Sequence, residues 1–86
     1  MTVHTLKCWP EFFESIVIGV KRFEIRKADR PYRVGDILAL QEWDNVTRQY
    51  TGNSINMDVD YIMSDIQFGI QEGYIVMSIS KTGELE

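Results

Sequence analysis

Cysteine and histidine are nearly missing: the chain of 86 residues holds one of each, Cys8 and His4. A lone cysteine excludes an internal disulfide and fits a reducing cytoplasm, the predicted location. One Cys and one His also argue against a structural zinc centre, so no metal and no cofactor is expected. Apolar runs are short, and none approaches the roughly 18 residues of a membrane span. The opening Met1-Thr2-Val3-His4 lacks a basic segment followed by an apolar one, which argues against secretion. Positive charge is scarce too: nine Lys and Arg against thirteen Asp and Glu give a net charge of −4. A protein with a pI near 4.9 does not bind nucleic acid indiscriminately through phosphate charge, so any such binding needs a local site.

What positive charge exists is concentrated. The stretch Gly19 to Asp36 holds six of the nine basic residues and three of the thirteen acids, Glu24, Asp29 and Asp36. A cation-rich segment inside an acidic chain marks a candidate anion-binding face. Gly19 suits the left-handed end of a helix. Lys21 to Lys27 alternates as a strand does, with Phe23 and Ile25 on one side and Arg22, Glu24 and Arg26 on the other. Strict alternation puts Lys21 opposite Glu24 and Arg26 unless the strand entry bends. Asp29 to Arg33, with Pro31, reads as a turn.

The chain length predicts one domain, 1–86, with a single modest core. Val3 to Cys8 is a short strand, with His4, Leu6 and Cys8 on one side and Thr5 and Lys7 on the other. Trp9-Pro10-Glu11 begins a helix ending at Gly19, its buried face formed by Phe13, Ile16, Val17 and Val20, with Phe12 widening it. Asp36 to Trp43 is a strand, apolar on both sides from Ile37 to Leu40. Asp44-Asn45 and Gln49 to Asn53 carry turn chemistry. In the strand Ser54 to Met63, Ile55, Met57, Val59 and Tyr61 share one side. Ser64 to Glu72 is a loop or a short helical turn, Tyr74 to Ser80 is the last strand, and 82–86 reads as a frayed tail. With one helix and several strands on short connections, the expected class is α+β: a small, mostly antiparallel β-barrel of five to six strands, with one helix after the first strand.

The run Gly19-Val20-Lys21-Arg22-Phe23-Glu24-Ile25-Arg26 resembles the G-x-K-x-x-E-x-R signature of ASCH domains, in the PUA-like superfamily. His4 to Lys7, Phe13-Glu14, Asp29-Arg30, Val34-Gly35-Asp36, Glu42 and Tyr50-Thr51-Gly52 extend the likeness, in order, to a small ASCH-like group of bacterial and phage proteins of unassigned function. The resemblance implies a PUA-like barrel with a cleft beside the helix and the signature strand, and RNA or a nucleotide-like molecule as partner. Some small relatives are amidohydrolases that deacylate a modified cytidine with a Lys, a Thr three residues on and a distant Glu. Here Lys21 matches, but Glu24 stands where that Thr would be. Thr51 and Ser54 are the substitute hydroxyls to consider.

Two accounts of Lys21, Glu24 and Arg26 stand side by side. In one they form a charged cleft, Lys21 and Arg26 gripping a phosphate or base edge while Glu24 orients them. In the other they are a surface ion-pair ladder worth about 0–1 kcal/mol per pair. As a catalytic pair, Lys21 and Glu24 would serve an amidohydrolase; Glu24 with Glu42 could share acid–base work or simply pair with cations. Lys7 and Arg30 are further candidate ligand contacts, although Arg30 with Asp29 could equally staple its own turn. Trp9 and Tyr50 are candidate stacking residues, whereas Trp43 reads as packing. His4 reads as a structural hydrogen-bonding residue and Cys8 as a small buried hydrophobe. A third account is a phage or bacterial protein-interaction module using the acidic face.

Overall fold

The computed structural model describes residues 1–83. The elements are β1 (Val3–Cys8), α1 (Pro10–Val17), β2 (Phe23–Lys27), β3 (Ile37–Asp44), β4 (Gln49–Met63) and β5 (Tyr74–Lys81), with a 3-10 turn at Ile66–Phe68 before β5. The strands form one curled, half-barrel sheet in the order β1-β3-β4-β5-β2. Only β1 and β3 run parallel, with Val3 beside Ile37 and Cys8 beside Glu42; the other three pairings are antiparallel. β1 and β2 are therefore the two edges of the sheet, and the chain between them carries α1. This is the expected α+β architecture, a barrel-like sheet with its helix after the first strand.

One face of each strand fills the interior. Leu6 and Cys8, Leu38 and Leu40, Met57 and Val59, and Ile75, Met77 and Ile79 meet Phe13 and Ile16 of α1 in a single core. The strand periodicity of β1, β3 and β5 explains their contributions directly. β2 differs: its interior-facing residues are Glu24 and Arg26, placed beside Met77 and Ile75, while Phe23 and Ile25 face outward. The charged side of the alternation is the one turned inward.

Three expectations change. The helix ends at Val17 rather than reaching Gly19, and Val17 and Val20, predicted on its buried face, are 39% and 75% exposed. Gly19 does hold a left-handed conformation, with φ of 85°, and reverses the chain there. Gln49 to Asn53 lies within β4 rather than in a turn between strands: Gln49 and Tyr50 pair with Asp44 and Trp43, and Thr51 to Asn53 fall at the register shift between Gln41 and Trp43. Tyr61 leaves the side shared by Met57 and Val59 because the β4–β5 register shifts between Val59 and Tyr61; Ile62 packs against the core instead. At the end of β5, the Thr82 amide donates to the Asn56 carbonyl and its hydroxyl to Asp58. Positions 84–86 of the expected tail lie outside the described residues. Among the described residues no helix is long and apolar enough to cross a membrane.

Buried polar groups fix the far end of β1. The Asp36 carboxylate accepts from His4 Nε2 at 2.8 Å, from the Thr2 amide at 3.0 Å and from the Arg33 amide at 3.0 Å. An ionised carboxylate only accepts, so His4 is the donor. These bonds, His4's first, lower the Asp36 pKa from 3.8 to about 2. The Val34-Gly35-Asp36 motif is thus a structural lock joining β1 to β3, and His4 is the hydrogen-bonding residue expected.

Candidate functional site

The signature run ends in a cleft of about 390 Å³ between the two sheet edges, beside the start of α1. Its position follows from the chain reversal after α1. The amides of Val20 and Lys21 both donate to the Ser15 carbonyl at 2.9 Å, tying the segment back to the helix before β2 begins. Lys21 is thereby released from strand alternation. Its Nζ donates to the Phe23 carbonyl at 2.6 Å and to Glu24 Oε1 at 2.8 Å. The bend required to bring Lys21 to Glu24 is present.

Glu24 is the hub. It is buried, and its second oxygen, Oε2, accepts from Arg26 Nε at 2.9 Å. Arg26 then reaches past it, donating through Nη2 to the Lys7 carbonyl on β1 at 2.9 Å. Two cations around one carboxylate leave a net positive charge. Arg26 Nη1 makes no hydrogen bond among the described residues, so the fork retains donors for a ligand. The arrangement is not the exposed ladder considered from sequence. Its carboxylate is removed from water, and a buried charge of this kind requires its partners.

Apolar surfaces frame the charges. Trp9 and Phe12 lie nearly parallel, their ring planes 14° apart and centroids separated by 6.1 Å. Phe23 stands opposite in sequence terms, at the start of β2, with Lys21 Nζ 4.7 Å from its ring centre. All three rings keep over two-fifths of their surface exposed. Cys8 contributes to the cleft lining from the core side. Burial, helped by the Glu24 charge, pushes its thiol up to about 11 against the opposing pull of Lys21 and Arg26. It is therefore a neutral thiol at ordinary pH, not a thiolate nucleophile.

The other sequence candidates group elsewhere. Lys7 gives its carbonyl to the cleft, but its ammonium sits 3.8 Å over the Trp43 ring and 5.8 Å from that of Tyr50. Trp43 and Tyr50 meet edge to face at 4.8 Å across the β3–β4 pair. Glu42, beside Cys8 in the β1–β3 register, accepts from Thr51 Oγ1 at 2.7 Å and Asn53 Nδ2 at 3.1 Å. Glu42 and Thr51 thus hold each other and the hairpin, and neither lines the cleft with Lys21. Arg30 lies 5.9 Å over Tyr32 and 4.0 Å from Asp29, outside the residues that line the cleft. Among the described residues no three His, Cys, Asp or Glu side chains are grouped to hold a metal.

A family model described as Domain of unknown function (DUF3850) matches residues 3–79, from β1 to within β5. The chain belongs to the DUF3850 family. A relative, the uncharacterized 12.9 kDa protein in the GpA 3′ region of Escherichia phage P2, is 40% identical over 53 residues. That match covers 62% of this chain and 47% of the phage protein, so the chain spans about half the length of the curated relative it matches. The DUF3850 match contains both the Lys21–Glu24–Arg26 cleft and the Lys7–Trp43–Tyr50 cluster.

Sequence reasoning missed Cys8, Phe12, Phe23 and Ile25 as cleft residues. A signal existed for two of them. Phe12 is an aromatic off the i, i+3, i+4 face of α1, and Phe23 is an aromatic flanked by cations.

Proposed function

We propose that this chain is an RNA- or nucleotide-binding module, built on a PUA-like fold of the ASCH type, that receives its ligand in the cleft around Lys21, Glu24 and Arg26. The half-barrel with a helix after the first strand is compatible with that superfamily, and four residues of the G-x-K-x-x-E-x-R run besides Phe23, namely Lys21, Glu24, Ile25 and Arg26, line a cleft, which supports the reading. The observation that carries the reading is the convergence of Lys21 and Arg26 on the buried Glu24, between exposed aromatic rings. Such a site offers cationic donors for a phosphate or base edge and flat faces for a base. Stacking of that kind is worth about 1–3 kcal/mol per base, and a guanidinium fork can bind an oxyanion through two hydrogen bonds.

The geometry favours binding over amide hydrolysis. Among the described residues none that lines the cleft is a serine or threonine, Thr51 and Ser54 lie outside that lining, and the Cys8 thiol stays protonated. A covalent acyl transfer in this cleft therefore has no hydroxyl nucleophile among its described lining residues.

Titration of nucleosides, mononucleotides and short RNAs against the wild type, Lys21→Ala and Arg26→Ala tests the reading, with folding checked by circular dichroism. Affinity should fall at least about tenfold in each folded variant. Equal binding by wild type and variants removes the cleft from the function, and release of an acyl group from an acylated nucleoside would favour the hydrolase.

A further inference from the structure

Lys7 links two aromatic pairs, Trp9 with Phe12 at the cleft and Trp43 with Tyr50 on the β3–β4 pair. In the parallel register the last pairing of β1 with β3 is Cys8 with Glu42. Trp9 and Trp43 each follow directly on that pair. Trp9 is backed by Phe12, and Trp43 by Tyr50. Lys7 belongs to both places: its carbonyl is held by Arg26 at the cleft, and its ammonium rests against Trp43 and Tyr50. Three cations, Lys21, Arg26 and Lys7, thus run between the Phe23 ring at one end and the Trp43 and Tyr50 rings at the other.

Interleaved cations and ring faces are the chemistry of a track for single-stranded nucleic acid. Bases stack on the rings, and the charges between follow the phosphates. Carboxylates near the second cluster are occupied. Glu42 accepts from Thr51 and Asn53, and Asp44 accepts from the amides of Val46 and Thr47 at 2.8 and 3.1 Å. Tyr50 is 53% exposed, which leaves ring surface open to a base.

We propose that Lys7, Trp43 and Tyr50 form a second stacking subsite continuous with the cleft, so that the ligand is a single strand of at least two nucleotides rather than a lone nucleotide. This rests on the reading of the cleft as a nucleotide site. The first base occupies the cleft beside Trp9, the next stacks on Tyr50, and Lys7 neutralises the phosphate between them. A base-paired strand, whose bases already stack on one another, does not gain from the second platform.

The test compares a mononucleotide with a four-nucleotide single strand, as RNA and as DNA, and with a duplex of the same sequence. Wild type, Lys7→Ala, Tyr50→Ala and Tyr50→Phe are titrated. Removing the Lys7 side chain leaves the carbonyl that Arg26 uses. The single strand, in one or both backbones, should bind wild type at least about tenfold more tightly than the mononucleotide and more tightly than the duplex. Tyr50→Ala should lose that gain while keeping mononucleotide affinity, Lys7→Ala should weaken the single strand more than the mononucleotide, and Tyr50→Phe should retain the gain. A mononucleotide that binds in the cleft with no gain for either single strand overturns the second subsite alone. So does a gain that survives both alanine variants. Binding of neither ligand to the wild type overturns the cleft reading and this inference together.

Discussion

Arg26 Nη2 donates to the Lys7 carbonyl at 2.9 Å, and this side-chain bond joins the two edges of the sheet. β1 and β2 share no ladder pairing, so the half-barrel is closed at this point by a guanidinium rather than by backbone. The same guanidinium holds the buried Glu24. Fold closure and the candidate binding site therefore draw on one residue.

Arg26→Ala should lower stability by about 1–3 kcal/mol, the usual cost of stripping a partner from a buried polar group. Lys21 remains on Glu24 and keeps the loss from being larger. Arg26→Lys should restore little, because an ammonium on a flexible stem cannot reproduce the planar fork that reaches both Glu24 and the Lys7 carbonyl. Urea unfolding of the three proteins checks this; recovery to wild-type stability in the lysine variant would show that charge alone suffices.

The Asp36 lock predicts acid sensitivity. Its folded pKa of about 2 lies below the ordinary 3.8, so the native state holds the proton less tightly than the unfolded chain. The stabilisation is complete above about pH 4 and is lost as pH falls towards 2. Wild type should therefore lose urea resistance steeply across that interval. Asp36→Asn, weaker at neutral pH, should show a shallower loss. Parallel pH profiles for the two proteins would rule out this carboxylate as the source.

Much of this arrangement was legible in the residues, and the remainder was hidden for identifiable reasons. The side of β1 carrying His4, Leu6 and Cys8, and the chain reversal at Gly19, follow from strand parity and from the one residue type at ease with positive φ. The inward direction of Glu24 does not. Parity separates it from Phe23 but cannot say which side meets the core, and the usual preference would bury the phenylalanine. Lys21 escaped parity because two amides bind the Ser15 carbonyl, a bond that leaves no compositional trace. The misplacement of Tyr61 and of the Gln49 to Asn53 turn has one cause: register shifts inside ladders, which periodicity cannot register. Lys7 and Tyr50, both singled out individually, were separated from Lys21 by tertiary placement alone.

Cys8 should be inert in the folded protein. With its thiol pushed up to about 11 by burial, the thiolate fraction at pH 8 is small and access is poor. A chromogenic disulfide reagent at pH 8 should label the urea-unfolded chain rapidly and the native chain at least a hundredfold more slowly, by about the two-unit rise in pKa combined with burial. Because a raised thiol pKa favours the protonated native form, its contribution is present below about pH 9 and declines as pH rises towards 11. Rapid native labelling would mean that the residue is open and would make it a candidate nucleophile.

Glu24→Gln separates orientation from charge. Both carboxylate oxygens are used, one by Lys21 and one by Arg26, so the amide can serve only one cation and turns a donor group towards the other. Stability should fall by about 1–3 kcal/mol. The cleft simultaneously gains a unit of positive charge, which by attraction alone would tighten phosphate binding. If Glu24 acts by aiming its cations, the variant should nonetheless bind a mononucleotide more weakly than wild type, with the loss concentrated on the phosphate. The nucleoside, which carries no phosphate, should be affected less. Calorimetric titration of the nucleoside and its monophosphate against both proteins makes the comparison. Tighter monophosphate binding by the folded variant would show that Glu24 merely dilutes the positive charge, and would leave Lys21 and Arg26 to bind without its guidance.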